Sequence, residues 1–337
     1  MTINIIDPHL HLFSRSRGHY YWLKSENPPF WPDKYLLQQD FSLEDLNNSL
    51  ENEEIKLTGF VHIEAGFDNA QPWRELEYLN DLTIESLPCQ KNRTIASIDL
   101  LAPPEHFQKS LQQSQQYQSL IGVRHILDEQ AYTILSNHNV QENFVSLNKV
   151  SNFIFELQLP LADESSIKVM PLLLQTIDKN KQLRFIINHA GFPPVDISND
   201  AFRLWEQNIQ ELAKRANIFI KCSGWEMVER QYDMSWFSEV TNFCLNTFSI
   251  KRVMLASNFP LCLLGRELGK ELGRELGKKV GRTPSKELDS KLGHKSYASY
   301  WQDILKSSVI KQCSNNEKNA LLYDNAFRIY QLDNFES

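Results

Sequence analysis

Eight short runs rich in apolar and β-branched residues recur along the chain, separated by segments of helical character. The runs are Ile3–Asp7, Thr58–Glu64, Thr94–Leu100, Ile121–Ile126, Asn152–Gln158, Leu183–His189, Asn217–Cys222 and Arg252–Ser257. Helix-like stretches between them include Ser42–Glu51, Pro72–Ser86, Pro104–Tyr117, Glu164–Lys179, Asp200–Ala216 and Ser235–Phe248. Ser42, with Asp45 three residues on, and Asp200 are of the types that cap helix starts. A strand, a helix and a further strand pack as a right-handed crossover in a parallel sheet. Eight such units favour a closed (β/α)8 TIM barrel over an open doubly wound sheet. The expected fold class is therefore α/β, with one domain spanning 1–337, long enough to bury a large core.

Composition removes several function classes. The formal net charge of −7 argues against nucleic acid or an anionic membrane as the main partner. No apolar run approaches the roughly 20 residues of a membrane span. The N-terminus has neither a basic start nor an apolar core, so no signal peptide is expected. The 5 cysteines are odd in number, scattered and without a CxxC pair. That usage points to a reducing, cytoplasmic setting and not to a disulfide framework or zinc knuckle.

Two segments interrupt the alternation. Residues 14–41, rich in aromatics and proline, follow the first strand. In a barrel that position overhangs the mouth, as a lid or as simple packing. Residues 265–281 read GRELGKELGRELGKKVG, with leucine spaced by four and glycine recurring at 265, 269, 273, 277 and 281. Each interior glycine costs a helix about 1 kcal/mol relative to alanine. Residues 265–295 are accordingly read as a low-complexity insertion after the eighth strand.

The first run leads into DPHLHLF, residues 7–13. Pro8 cannot donate to a sheet ladder, so the strand is expected to end at Asp7. His9 and His11 then follow a strand end and, two apart, point the same way. They could hold a metal or polarise a substrate; the plainer reading is a polar loop. The other strand ends favour chemistry. The second run ends FVHIEAG, with His62 and Glu64, and the third offers Asp99. The fourth supplies Arg124 and His125, the fifth Glu156 and Gln158, and the sixth His189. The seventh supplies Lys221, Cys222 and Ser223, and the eighth Asn258. Barrel interiors are filled by branched apolar side chains and barrel chemistry sits at C-terminal strand ends, so this distribution points to an active site.

DPHLHLF is followed by VHIEAG (61–66), GVRHIL (122–127), INHAGFPP (187–194), KCSGW (221–225), LASNFPLCLL (255–264) and SYASYW (296–301). With this set the chain resembles the amidohydrolase-related (amidohydrolase 2) family of TIM-barrel hydrolases, in particular its metal-dependent hydrolase and sugar-lactonase branch. The resemblance covers nearly the whole chain outside the insertion. In that branch fucono- and rhamnonolactonases and pyrone-dicarboxylate lactonase open cyclic esters, and more distant relatives decarboxylate aromatic acids. The implied activity is hydrolysis of a lactone of a sugar acid or dicarboxylic acid by an activated water. Non-oxidative decarboxylation is the alternative chemistry, and a catalytically lapsed binding barrel the non-enzymatic alternative.

Departures from the family pattern shape the expected mechanism. Metal-binding members usually take ligands from the first-strand HxH, from histidines on strands five and six, and from an aspartate ending strand eight. His9, His11 and His189 match, whereas Gln158 and Asn258 replace a histidine and the aspartate. If a metal is bound, the resemblance implies one divalent ion such as zinc on His9, His11 and His189, weakened by Gln158 and Asn258. Asparagine cannot take a proton from water, so Glu64 is the expected base; a metal ligand or an anchor for a neighbouring histidine are its other readings. His9, His11 and His189 are expected to polarise the carbonyl, and Asn258 to orient the water or the carbonyl. Arg124 suits a substrate carboxylate through its planar fork, or a structural ion pair. The expected partner is a small anionic substrate, with no nucleic acid and no membrane; homo-oligomerisation is left open. His9, His11, Glu64, His189 and Asn258 should converge in one pocket at the C-terminal mouth of the barrel, with Arg124 within reach of it.

Overall fold

The computed structural model describes residues 2–51, 53–86, 91–267 and 293–333. Eight parallel strands lie in chain order around the sheet. They are β1 (Ile3–Leu10), β2 (Ile55–Ile63), β3 (Lys91–Ser97), β4 (Leu120–Arg124), β5 (Ile154–Leu157), β6 (Arg184–Ile187), β7 (Ile218–Cys222) and β8 (Val253–Leu255). This is the expected (β/α)8 barrel. Its last seam, between β8 and β1, is closed by a bridge from Leu10 to Phe259. There His11 N–H donates to the Phe259 carbonyl at 2.7 Å, and Asn258 N–H to the His9 carbonyl at 2.8 Å. Closure of the barrel therefore ties the two-histidine segment directly to Asn258.

β1 runs past Pro8 to Leu10, three residues beyond the expected end. Asp7 pairs with Phe60 and Leu10 with His62, so β1 advances three residues while β2 advances two. Pro8 falls in this irregularity, where a missing donor breaks no ladder bond. The six expected helices are present, among them α1 (Leu43–Leu50), whose Ser42 and Asp45 form a reciprocal capping box, and α2 (Trp73–Ser86). Helices that the pattern did not suggest lie at Ala131–Leu135, His138–Asn148 and Trp225–Val228, and others follow residue 296, beginning with Tyr297–Lys306. In the helix His138–Asn148, Asn137 acts as the N-cap and Val140, Phe144 and Leu147 bury its apolar face.

The interior cluster takes one or more residues from every strand: Ile6, Val61, Ile63, Ile95, Ile121, Ile154, Ile186, Phe219 and Met254. Alternate residues, such as Phe155, Phe185 and Ile187, pack outward against the helices. Ala326, Ile329, Tyr330 and Leu332 join the interior cluster from the C-terminal segment. Arg93 and Arg184, near the starts of β3 and β6, donate to carbonyls of residues 329–331. The segment thus seals the N-terminal end of the barrel and leaves the opposite end for chemistry.

Of the insertion, only the ends are described. Arg266–Glu267 and Gly293–His294 form a two-residue antiparallel ladder. Lys295 is buried and pairs with Asp303 at 2.7 Å. The glycine–leucine repeat itself, from Leu268 to Gly281, lies outside the described residues, as does Cys89. No helix among the described residues is long and apolar enough to cross a membrane.

Candidate active site

A cavity of about 710 Å³ opens at the C-terminal end of the barrel, within the usual range for small-molecule sites. His11, Glu64, Arg124, His189 and Asn258 all line it, together with Gln158. His9 is the exception. It is 0% exposed and lies beneath the floor, its ring 5.1 Å from that of His11 and 4.7 Å from that of His189, centroid to centroid. The loop at 14–41 contributes Trp22, Pro28, Pro29 and Trp31 to the opposite wall. It is pinned by mutual backbone bonds between Phe13 and Phe41 and by Trp22 Nε1–H to the Ala65 carbonyl at 2.7 Å. Packing and lining are therefore both functions of this loop. Tyr20 is buried under it and Tyr21 faces outward; neither lines the cavity.

Local backbone geometry sets the histidines and Asn258. His189 and Asn258 have φ of 53° and 62°, a left-handed conformation that ordinary residues adopt at a cost and that clusters at functional sites. Gly224 makes room for the first of them. A Cβ there would lie 2.2 Å from His189 Nδ1, so any side chain at 224 displaces the imidazole.

The hydrogen bonds assign most ring protons. His11 Nδ1 lies 2.7 Å from the Ile63 carbonyl, which can only accept, so Nδ1 carries the proton. Burial first, and then the Arg124 charge, hold the His11 pKa well below the usual histidine range. Neutral His11 therefore presents a bare Nε2, 3.4 Å from Asn258 Oδ1, which is also an acceptor. Asn258 Nδ2–H donates to Glu226 Oε1 at 2.6 Å. At His189, Nδ1 faces the buried Ser223 hydroxyl at 3.1 Å. That hydroxyl has no other acceptor among the described hydrogen bonds, so it donates to Nδ1 and leaves the proton on Nε2.

Arg124 uses three of its five N–H donors within the chain. Its Nε donates to Glu64 Oε1 at 2.7 Å, Nη2 to the Glu64 carbonyl at 2.7 Å and Nη1 to Gln158 Oε1 at 3.0 Å. The ion pair of its two sequence readings is present, and Arg124 also lines the cavity as the one Arg or Lys among the described lining residues. Burial raises the Glu64 carboxyl above the usual range, with Arg124 opposing.

Sequence reasoning missed three pairs. Glu156 and Lys221 lie two residues beyond the interior Ile154 and Phe219, so they too face inward. Lys221 Nζ donates to both Glu156 oxygens at 2.8 Å, and Tyr330 O–H donates to Glu156 Oε1. Opposite charges on the inward phase of two strands were a visible signal; that they meet across the barrel was not. Glu226, the acceptor for Asn258, left no signal at all. His62, between the interior Val61 and Ile63, points outward to Glu75 on α2 at 2.9 Å, whereas Glu64 enters the cavity because β2 stops at Ile63 and alternation ends there.

The implied metal does not fit this arrangement. Among the described residues no group of three or more His, Cys, Asp or Glu side chains could hold a metal ion. Donor chemistry agrees. Lys221 Nζ lies 3.3 Å from His9 Nδ1, and an ammonium can only donate, so neutral His9 carries its proton on Nε2 and offers no lone pair there. With these ring protons only His11 presents a bare nitrogen, His9 Nε2 is buried without a partner among the described residues, and Asn258 adds no charge.

The family model of the amidohydrolases matches residues 6–332. The chain belongs to the amidohydrolase family. This amidohydrolase is 24% identical over 341 residues to the uncharacterized protein y4mH of Sinorhizobium fredii, covering 98% of this chain and 99% of that one. Solved structures show the same fold. An amidohydrolase from Burkholderia multivorans, solved with bound zinc, has a TM-score of 0.70 at 17% identity, covering 98% of this chain and 99% of that one. A Pseudomonas putida protein provisionally named a 2-pyrone-4,6-dicarboxylic acid hydrolase gives 0.59 at 16%, covering 99% of each chain. The 2,6-dihydroxybenzoate decarboxylase from Rhizobium gives 0.55 at 12%, again covering 99% of each. Family and fold make this chain an enzyme of the amidohydrolase superfamily.

Proposed function

We propose that this amidohydrolase opens a lactone ring with a water held between His11 and Asn258. The observation that carries the reading is the facing pair of acceptors, His11 Nε2 and Asn258 Oδ1, 3.4 Å apart in the cavity wall. Two acceptors cannot satisfy one another, whereas a water donates one hydrogen to each. Its lone pairs are then free to attack a carbonyl carbon. The proton released on attack passes to His11 Nε2, the acceptor it already faces, and from there to Glu64 in the same cavity. His189 Nε2–H donates to the oxyanion of the tetrahedral intermediate. Collapse breaks the bond from the carbonyl carbon to the ring oxygen, which takes the proton back from Glu64, and the product is the open hydroxy acid.

Trp22, Trp31 and Met227 offer an apolar wall to the ring. Arg124 gives three of its five N–H donors to Glu64 and Gln158, which leaves two for a substrate oxygen. The name of the Rhizobium relative supports decarboxylation as the competing reaction, and product analysis separates the two, since ring opening releases no carbon dioxide. A panel of neutral sugar lactones and a pyrone dicarboxylate, followed by proton release, tests the reading. Glu64→Gln is expected to lower kcat by about 10²–10⁴, the usual contribution of a positioned base. A base must be ionised, so activity should rise with pH through a pKa above the ordinary carboxylate range, as burial of Glu64 requires. Full activity in Glu64→Gln, or carbon dioxide as product, would overturn the proposal.

A further inference from the structure

We propose that Glu226 is a positioning residue that decides which end of the Asn258 amide faces His11. This rests on the reading that His11 and Asn258 hold the attacking water. A side-chain amide has a donor end and an acceptor end, and its surroundings choose between two orientations related by a half turn. An ionised carboxylate can only accept. Glu226 Oε1 at 2.6 Å from Nδ2 therefore draws the NH2 group toward itself, and Oδ1 is left facing His11 Nε2.

The reversed orientation is otherwise the better one locally. It would put an N–H on the bare His11 nitrogen and remove the acceptor pair that the water needs. Asn258 is 1% exposed and its amide is set between Glu226 Oε1 and His11 Nε2, so the choice lies between these two orientations. Nor does bulk water intervene: Glu226 is 0% exposed and its Oε2 has no partner among the described residues. A buried acceptor held this way imposes direction, and that direction is what the carboxylate contributes. Burial raises the Glu226 carboxyl to about 7, with the Asn258 hydrogen bond and the Arg230 and Lys295 charges opposing, so measurements at pH 8 address the ionised form.

The test exchanges the two groups. Glu226→Gln should fold and keep KM, but let the Asn258 amide turn over, and kcat should fall by about tenfold to a hundredfold, as a misplaced reacting group costs. Combining it with Asn258→Asp should restore part of kcat. In that double variant the amide introduced at position 226 donates to one oxygen of the carboxylate introduced at position 258, and the other oxygen faces His11. Asn258→Asp alone sets two buried carboxylates against each other and should lower Tm, whereas the double exchange should recover it. In the wild-type protein, neutron diffraction should find the Asn258 amide deuterons directed at Glu226. Wild-type kcat in Glu226→Gln, an equal Tm loss for Asn258→Asp with either residue at 226, or deuterons directed at His11 would each overturn the proposal. The melting cycle and the deuterons do not depend on turnover. A wild-type enzyme inactive on every lactone therefore removes the lactonase reading while those two results still decide the orientation.

Discussion

At the scale of single residues, burial governs the charge states, and one pair makes this measurable. Glu75 is raised to about 8 and His62 lowered to about 3, both chiefly by burial. The pair thus folds as a neutral acid beside a neutral imidazole. Folding retains a proton on Glu75 that the unfolded chain has released above its ordinary value of 4.5. The stability linked to Glu75 is complete below that value and is lost as pH rises through about 8. His62 works in the other direction, but above 6.5 it is neutral in both states. Between pH 6.5 and 8 the urea midpoint should therefore fall with rising pH, and Glu75→Gln should reduce that slope. An identical slope in the variant would show that Glu75 folds ionised. His9, His11, Glu64, Arg124, His189 and Asn258 were all legible as candidates, because polar residues stand out where apolar strands end. Glu226 was not, since it lies on the short helix Trp225–Val228, whose approach to Asn258 no local pattern encodes.

At the scale of elements, the eight strands were legible within a few residues because period-two burial and β-branched runs are local signals. The ends were less so, and β1 shows why: the bulge that carries Pro8 exists only against β2. The ladder of Arg266–Glu267 with Gly293–His294 yields a test of the insertion. Glu267 and Gly293 are register partners, so a two-residue Asn-Gly turn can join them in place of 268–292. The shortened chain should melt cooperatively within a few degrees of wild type, because it keeps the ladder and Lys295. Removing 265–295 entirely should lower Tm, since it deletes the buried Lys295 pairing with Asp303 and Tyr232. Equal Tm values for the two deletions would show that Lys295 contributes nothing to the fold.

At the scale of the whole molecule, the barrel interior holds an ion pair that four distant parts of the chain assemble. Glu156 from β5, Lys221 from β7, Tyr330 from the C-terminal seal and His9 from β1 meet there. Burial lowers Lys221 to about 8 with Glu156 opposing, so the lysine is charged at neutral pH. Lys221→Met should cost about 3–5 kcal/mol by leaving Glu156 charged, buried and unpaired. Adding Glu156→Gln should recover most of that loss in denaturant unfolding, and failure to recover it would mean that packing, not charge, carries the effect. Such a pair separates two kinds of information. Hydrophobic periodicity and turn chemistry act between near neighbours, so the sequence by itself determined the alternation of strands and helices, the barrel class and the polar strand ends. Which side chains face one another, which ring nitrogen carries a proton and which carboxylate lies behind Asn258 depend on approaches across tens to hundreds of residues. Those were decided only when the barrel closed, because closure fixes the distances on which hydrogen bonds, desolvation and charge coupling depend.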